Sequence, residues 1–240
     1  MGNTENKRWL NLTAGFVCAA ALFPILTQAG LWIPSGFSPA ARIFCGFLIT
    51  QLPILIAILI PLPLTGTPVT RIPDILGIQK LTKEEWKRFG LHVVPVFLAV
   101  TLISSGFAEL AKRLGCQEPT QEIVELMLHA SWSTFFVIAS TAILIAPVIE
   151  ELAFRHILYR CASGFLPEIS AIAGVSLFFA AIHMTPWQIP SLFILAVIFQ
   201  LEYIRSGNKT SFTILLHAGF NFLTVLAALV LRIHHIITGA

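Results

Sequence analysis

The segment Ala146-Pro-Val-Ile-Glu-Glu-Leu-Ala-Phe-Arg155 places two adjacent carboxylates and an arginine within otherwise apolar sequence. An ionised carboxylate in such surroundings is costly to desolvate, so it needs a partner or a function. In a helix, Glu151 and Arg155 lie four residues apart on one face and can form an ion pair. Glu150 points about 100° away from that face, and Pro147, which lacks a backbone donor, can open or kink the helix. The segment therefore predicts one paired acid and a second acid without a local partner.

The composition is that of an integral membrane protein. Of the 240 residues, 56% are hydrophobic and 11% are charged, and the mean hydropathy is +0.84, whereas soluble domains carry about 25% charged residues. The length suits a single membrane domain, residues 1–240. The lysines and arginines stand between apolar runs, so we expect the lipid bilayer and not nucleic acid as a partner. The four cysteines show no CxxC spacing, which argues against a structural metal cluster.

The apolar runs predict an all-α fold, a polytopic transmembrane helix bundle of about seven spans (six to eight), with the active site inside the bundle. Ser163-Gly164, Pro167 and Ser206-Gly207-Asn208 break the later part of the chain. The first run could instead be a signal peptide, because Thr27-Gln28-Ala29 resembles a cleavage site. The spans are expected near residues 9–29, 43–64, 91–110, 132–161, 168–183, 191–204 and 212–233.

Two shorter helices are expected beside the spans. Thr82, followed by Glu84 and Glu85, has the pattern of a helix N-cap and predicts a short interfacial helix. Residues 120–129 predict a second short helix that leads into the span beginning near Trp132. These helices would lie at the ends of the bundle.

The distribution of lysine and arginine predicts the orientation in the membrane. Lys7 and Arg8 precede the first apolar run, five cations lie in the loop 65–90, and Arg205 and Lys209 flank the last turn. Cytoplasmic loops carry an excess of such cations. We therefore expect a cytoplasmic amino terminus.

Three polar motifs lie in the apolar second half of the chain: Glu150-Glu151…Arg155, Phe179…His183 and His217…Asn221. In each motif the key residues are four apart, which aligns them on one helical face. If the segments before and after the break at 166–167 form an antiparallel hairpin, Glu150 and His183 both lie roughly 24 Å from that turn. His217 is expected roughly 14 Å from its own turn. The motifs are therefore expected to form one shared polar site.

The residue types suit hydrolysis of an amide bond. A glutamate and a histidine can activate a water as a general base, and a histidine with an asparagine can donate hydrogen bonds to a developing oxyanion. The HExxH zinc signature is absent, although Glu150, His183 and His217 have the right chemistry for zinc ligands. Two other interpretations stay open: histidines that only link helices, and a small transporter with a proton relay, which would be expected to show an inverted repeat.

The three motifs, in this order and within membrane spans, resemble those of the CAAX protease and bacteriocin-processing family of intramembrane proteases, the CPBP or Abi family. That family shows EExxxR, then FxxxH, then HxxxN or HxxxD, and the resemblance covers about residues 132–230. It implies a helical membrane fold and an endopeptidase that cuts near the membrane surface. It also implies a catalytic core at residues 132–233, with accessory membrane helices and loops at 1–131.

The resemblance implies a role for each motif residue. Glu150 would be the general base on water, His183 would help to bind or activate that water, and His217 with Asn221 would form the oxyanion site. Family members include described metalloproteases and a glutamate-type enzyme that needs no metal; we expect the glutamate type here and commit to no cofactor. The alternatives are zinc held by Glu150, His183 and His217, and a non-catalytic scaffold or bacteriocin-immunity-like protein of the same fold. The implied supporting residues are Glu151, Arg155 and Phe179.

The same resemblance bears on substrate and location. A chain of 240 residues without an appended domain predicts a stand-alone bacterial-type member, multi-pass in the inner or plasma membrane. Its expected substrate is a peptide or membrane protein rather than a prenylated protein. One position departs from the family, because His156 stands where a glycine often follows the arginine. A bulkier, titratable side chain there could alter packing or substrate access.

Overall fold

The computed structural model describes residues 33–34, 36–64, 67–115, 122–183 and 186–238, and within these ranges it contains helices and turns but no β-strand. The predicted all-α fold is confirmed. The predicted first span, residues 9–29, lies outside the described residues. The helices discussed below are α1 Pro39–Leu59, α2 Lys83–Arg113, α3 Glu122–His129, α4 Trp132–Ala162, α5 Glu168–Ala181, α6 Ile189–Arg205 and α7 Thr210–Thr238. Short helical turns add Pro61–Leu64, Val69–Arg71, Ile72–Ile75 and Pro186–Gln188.

Five helical segments in the described ranges are long and apolar enough to cross a membrane: Pro39–Pro63, Lys83–Arg113, Trp132–Ala162, Pro186–Arg205 and Thr210–Thr238. They correspond to five of the seven predicted spans. The span predicted at 168–183 is helical over the 14 residues Glu168–Ala181. At 1.5 Å per residue that helix is about 21 Å long, which is less than the roughly 30 Å of a hydrocarbon core. Helix α5 is therefore shorter than a hydrocarbon core is thick, unlike the five longer segments.

The start of α2 corrects one expectation. Thr82 caps the helix as predicted: its hydroxyl accepts a hydrogen bond from the N–H of Glu85, whose carboxylate accepts from the N–H of Thr82. The helix then continues without a break to Arg113. The predicted short interfacial helix was wrong, because these residues are the first turns of the span itself. A single Gly90 does not stop a helix that packing holds in place.

Helix α4 carries the first motif and changes its hydrogen-bond pattern along its length. The stretches Thr141–Ile145 and Glu151–Leu158 are π-helical, whereas Ala146–Glu150 between them is α-helical. The predicted helical continuity from Trp132 to about Cys161 is present. The π-helical hydrogen bonds, from an N–H to the carbonyl oxygen five residues earlier, were not predicted. Such π turns are rare and are frequently found at functional sites.

Helix α2 packs against α6 and α7, and α1 packs against α4. Gly219 permits the close contact between α7 and α2, because a Cβ at this position would lie 2.7 Å from the ring of Phe89 on α2. A helix from the predicted accessory part thus lies directly on the helix that carries the third motif. The largest buried cluster surrounds α4 and includes Leu152, Phe154, Ile157, Phe179 and Tyr203.

Candidate active site

Glu151, Arg155 and His217 meet in the interior of the bundle. Their side chains are 0%, 1% and 6% exposed. Nδ1 of His217 donates a hydrogen bond to Oε1 of Glu151 over 2.8 Å, and Nη1 of Arg155 lies 3.3 Å from the same oxygen. A carboxylate this deeply buried is stable only if its charge is compensated. The predicted pair of Glu151 and Arg155 is thus present, with His217 as an additional partner.

Glu150 approaches the other side of the His217 ring. Its side chain keeps 18% of its surface exposed, and its Oε2 lies 3.9 Å from Nε2 of His217, which is too long for a hydrogen bond. The two ring nitrogens of His217 therefore face two different glutamates. Glu151 is enclosed by fixed partners, and Glu150 is the more accessible acid. We call these four residues, Glu150, Glu151, Arg155 and His217, the acid–histidine cluster.

Two phenylalanines flank the guanidinium of Arg155. Its Cζ lies 4.4 Å from the ring centroid of Phe179 and 5.5 Å from that of Phe199. Within the described part of the chain, Nη1 and Nη2 of Arg155 are buried without a hydrogen-bond partner. The negative faces of the aromatic rings attract the cation and partly replace those bonds. The ring centroid of Phe199 also lies 5.1 Å from that of His217, so Phe199 packs against two of the four members of the cluster, Arg155 and His217.

His183 lies two residues beyond the end of α5 and is exposed. Its Nδ1 donates to the carbonyl oxygen of Phe179 over 2.7 Å, which fixes the orientation of the ring. The His183 ring centroid is 4.8 Å from that of Phe179, which in turn is 6.4 Å from that of His217. The second motif therefore joins the acid–histidine cluster through the Phe179 ring.

Asn221 makes a contact that the sequence analysis did not predict. Its Nδ2 donates to the carbonyl oxygen of Ala142 over 2.8 Å. In a helix that carbonyl would accept from the N–H four or five positions later. The N–H of Ala146 is bonded to Thr141 instead, and Pro147 has no N–H. Asn221 therefore supplies a donor that the proline cannot.

Phe199 was not among the site residues predicted from the sequence. An aromatic residue in an apolar helix ordinarily indicates core packing, and nothing in the α6 sequence by itself distinguishes this one. Its position four residues before Tyr203 is the available signal, because i and i+4 share a helical face. That face of α6 lies against the interior of the bundle, and both side chains are fully buried.

The geometry also bears on the alternative in which Glu150, His183 and His217 hold zinc. No group of three or more His, Cys, Asp or Glu side chains in the described residues is placed to hold a metal ion. Nδ1 of His217 is bonded to Glu151, and Nδ1 of His183 is bonded to a carbonyl oxygen. Metal-binding histidines also make such Nδ1 hydrogen bonds, so the choice of the glutamate type over the zinc type stays a prediction, and no step below uses a metal.

Residues 130–223 match a family model, Rce1-like, described as type II CAAX prenyl endopeptidase Rce1-like. The resemblance to the CPBP family is confirmed. The matched range includes all three motifs and extends from just before α4 into α7. Comparisons with curated proteins and with solved structures gave no match.

The match supports a CAAX-type intramembrane protease at the level of the family, and a protease family implies peptide or protein substrates. Together with the five apolar helices, it makes the chain a multi-pass integral membrane protein. The arrangement of the acid–histidine cluster is consistent with this family, because it holds ionisable groups inside the bundle where a membrane enzyme needs them.

Proposed function

We propose that this protein is an intramembrane endopeptidase in which Glu150 activates water for attack on a peptide bond near the membrane surface. The observation that carries the proposal is that two adjacent acids differ in solvent exposure and in their partners. Glu151 is fully buried against Arg155 and His217, whereas Glu150 retains exposed surface 3.9 Å from Nε2 of the same histidine. A general base must be able to meet its water, and only Glu150 satisfies that requirement.

In the proposed reaction, the Glu150 carboxylate takes a proton from water while the water oxygen bonds to the peptide carbonyl carbon. The carbonyl oxygen becomes an oxyanion. When the tetrahedral intermediate collapses, the C–N bond breaks and the proton held by Glu150 passes to the leaving amine. The enzyme is regenerated and the atoms balance, because one water has been divided between a new carboxyl and a new amino terminus.

His183 is proposed to bind the attacking water together with Glu150. The support is its position, since the hydrogen bond from Nδ1 to the Phe179 carbonyl oxygen holds the ring beside Phe179, which lies against His217. Its exposure places it where water from outside the bundle is available. Phe179 would then serve to hold the His183 ring beside the acid–histidine cluster.

His217 and Asn221 are proposed to stabilise the oxyanion. Nε2 is the His217 atom on the side of Glu150, because Nδ1 donates to Glu151. The proposed role requires the imidazolium form of His217, since in the neutral ring only one nitrogen carries a proton. Asn221 has two amide hydrogens, of which one is directed to Ala142. The second hydrogen is the one proposed for the oxyanion. Glu151 and Arg155 would orient His217 from behind.

For the substrate, we propose a peptide or a membrane protein. The matched family is described by prenylated CAAX substrates, so a prenylated CAAX peptide is the natural comparison. The test offers purified protein in detergent a quenched peptide library and, separately, a farnesylated CAAX peptide. Preference for the prenylated peptide would overturn the substrate proposal while supporting the protease itself.

The catalytic proposal is tested with Glu150→Gln and His183→Ala beside Glu109→Gln. Glu109 is an acid on α2 that pairs with Arg113 on the exposed surface, so its amide variant controls for loss of a charge. We expect cleavage to disappear with Glu150→Gln, to fall strongly with His183→Ala and to persist with Glu109→Gln. Cleavage lost to a chelator and restored by zinc would overturn the glutamate mechanism. Unchanged cleavage by both site variants would favour the scaffold alternative and indicate a contaminating protease.

A further inference from the structure

His156 is a buried ionisable residue that the proposed mechanism does not use. It directly follows Arg155 in the π-helical stretch of α4, and it is 1% exposed. It also occupies the position where the resembling family often has glycine. A buried imidazole is costly unless its nitrogens are hydrogen-bonded, so its contacts indicate what it does.

The His156 ring joins three other parts of the chain. Nε2 donates to the carbonyl oxygen of Ile75 over 2.5 Å, and Nδ1 lies 2.9 Å from the hydroxyl of Tyr203 and 3.0 Å from that of Thr210. A carbonyl oxygen only accepts, so Nε2 carries a proton. In the neutral ring Nδ1 is then an acceptor for the two hydroxyls. Both nitrogens are satisfied, and α4 is bonded at one point to α6, α7 and the turn Ile72–Ile75.

One of these contacts, the hydrogen bond to Thr210, holds α7, the helix that carries His217. Thr210 and His217 are seven residues apart, two turns along one face of α7. On α4 their partners are His156 and Glu151. Helix α7 is therefore bonded to α4 at two successive positions, and the second is the contact that sets the His217 ring relative to Glu150.

The first turn of α7 is also held from the other side by residues 77–79. Ser211 donates its hydroxyl to the carbonyl oxygen of Gln79 over 2.6 Å and its N–H to that of Gly77 over 3.3 Å. Gly77 has φ +70, and a Cβ there would lie 2.6 Å from Oγ1 of Thr210. The segment 75–79 thus lies closely against the residue that hydrogen-bonds to His156.

We propose that His156 is a positioning residue for catalysis: it fixes the first turn of α7 and the segment 75–79 to α4, and so sets Nε2 of His217 against Glu150. This role rests on the proposed function, because it takes the acid–histidine cluster as the catalytic centre. It predicts that the histidine is needed for the hydrogen bonds that Nε2 donates and Nδ1 accepts, and not for its charge.

The test compares His156→Gln with His156→Leu in the full-length protein. Glutamine can donate to Ile75 and accept from the hydroxyls, whereas leucine fills similar space and does neither. We expect His156→Leu to lower kcat on the order of 10²-fold, as for a misplaced catalytic group, with KM little changed and with His156→Gln recovering most of the loss. Tyr203→Phe should give a smaller fall, and Tyr159→Phe, on the ring that packs against Tyr203, serves as its matched control.

Hydrogen exchange measured by mass spectrometry provides a second readout that does not need activity. We expect His156→Leu to accelerate exchange in residues 75–79 and 210–217 selectively, with His156→Gln resembling the parent. Equal kcat in all three proteins, or glutamine no better than leucine, would overturn the proposal. If the parent protein cleaves nothing, the proposed function fails by itself, and a uniform or absent change in exchange would then overturn the anchoring role of His156.

Discussion

At the scale of the residue, Arg155 is expected to be essential for stability. Removing one member of a buried ion pair leaves the other charged and desolvated, which costs about 3–5 kcal/mol. We expect Arg155→Met to lower the free energy of unfolding in detergent by that order, because Glu151 is fully buried. The matched control is Arg113→Met, which breaks the exposed i,i+4 pair with Glu109 and should change stability by no more than about 0.5 kcal/mol. Similar losses in both variants would contradict the prediction.

Asn221 offers a second test at the same scale. Without its amide, the Ala142 carbonyl loses the donor that compensates for Pro147, and we expect Asn221→Ala to cost about 1–3 kcal/mol. Pro147→Ala restores a backbone N–H within reach of that carbonyl. In the Pro147→Ala background, Asn221→Ala should therefore cost less, with a coupling of at least about 0.5 kcal/mol in the double-mutant cycle. Strict additivity in unfolding measurements would show that the two residues do not share the Ala142 carbonyl.

At the scale of the element, the contact between α2 and α7 depends on Gly219. A Cβ at this position would lie 2.7 Å from Phe89 and 2.9 Å from Val93, closer than real contacts allow. We expect Gly219→Ala to destabilise the fold by about 1–3 kcal/mol through overpacking. Gly174→Ala on α5 is the control, since nothing lies within 4 Å of its Cβ position and alanine is the better helix former. If both alanines stabilise the protein, α2 does not pack as closely as the structure indicates.

Three hydrogen bonds align α4, which is partly π-helical, with α7. His156, Glu151 and Ala142 on α4 contact Thr210, His217 and Asn221 on α7. A π turn holds more residues than an α turn, so α4 advances less per residue where it is π-helical. The spacing is uneven: nine positions separate Ala142 from Glu151 beside four on α7, but five separate Glu151 from His156 beside seven on α7. The excess of α4 positions therefore falls in the part that includes the π-helical turn Thr141–Ile145 and not in Glu151–Leu158. An i,i+4 analysis assumes α geometry throughout and could not have predicted that alignment.

At the scale of the whole molecule, the predicted boundary between accessory and core residues does not coincide with a gap in the packing. Glu85 at the start of α2 is 2.9 Å from Lys209, and Arg88 is 3.1 Å from Glu202. These ion pairs join α2 to the last turn of α6 and to the turn between α6 and α7. The division at residues 131 and 132 remains a prediction, and α2 packs with the matched family segment.

The orientation in the membrane is predicted from charge. Lys80 lies at the end of the molecule where the loop cations gather, and Arg113 ends α2 at the far end of that span. In a chain with its native cysteines replaced by serine, we expect Arg113→Cys to react with an impermeant thiol reagent in intact cells. Lys80→Cys should react only after permeabilisation. The reverse pattern would place the amino terminus outside.

The sequence by itself determined the class of the fold, most helix positions, the Thr82 cap and the three motifs, because hydropathy, caps and motif spacing are properties of neighbouring residues. Tertiary structure decided which contacts those residues make. Glu151 and His217 are 66 positions apart, and their hydrogen bond exists because α4 and α7 pack at one particular depth and rotation. From the sequence, His156 was expected to alter packing or substrate access. In the structure it is buried and hydrogen-bonds to three other parts of the chain, because its partners come together only in the folded bundle.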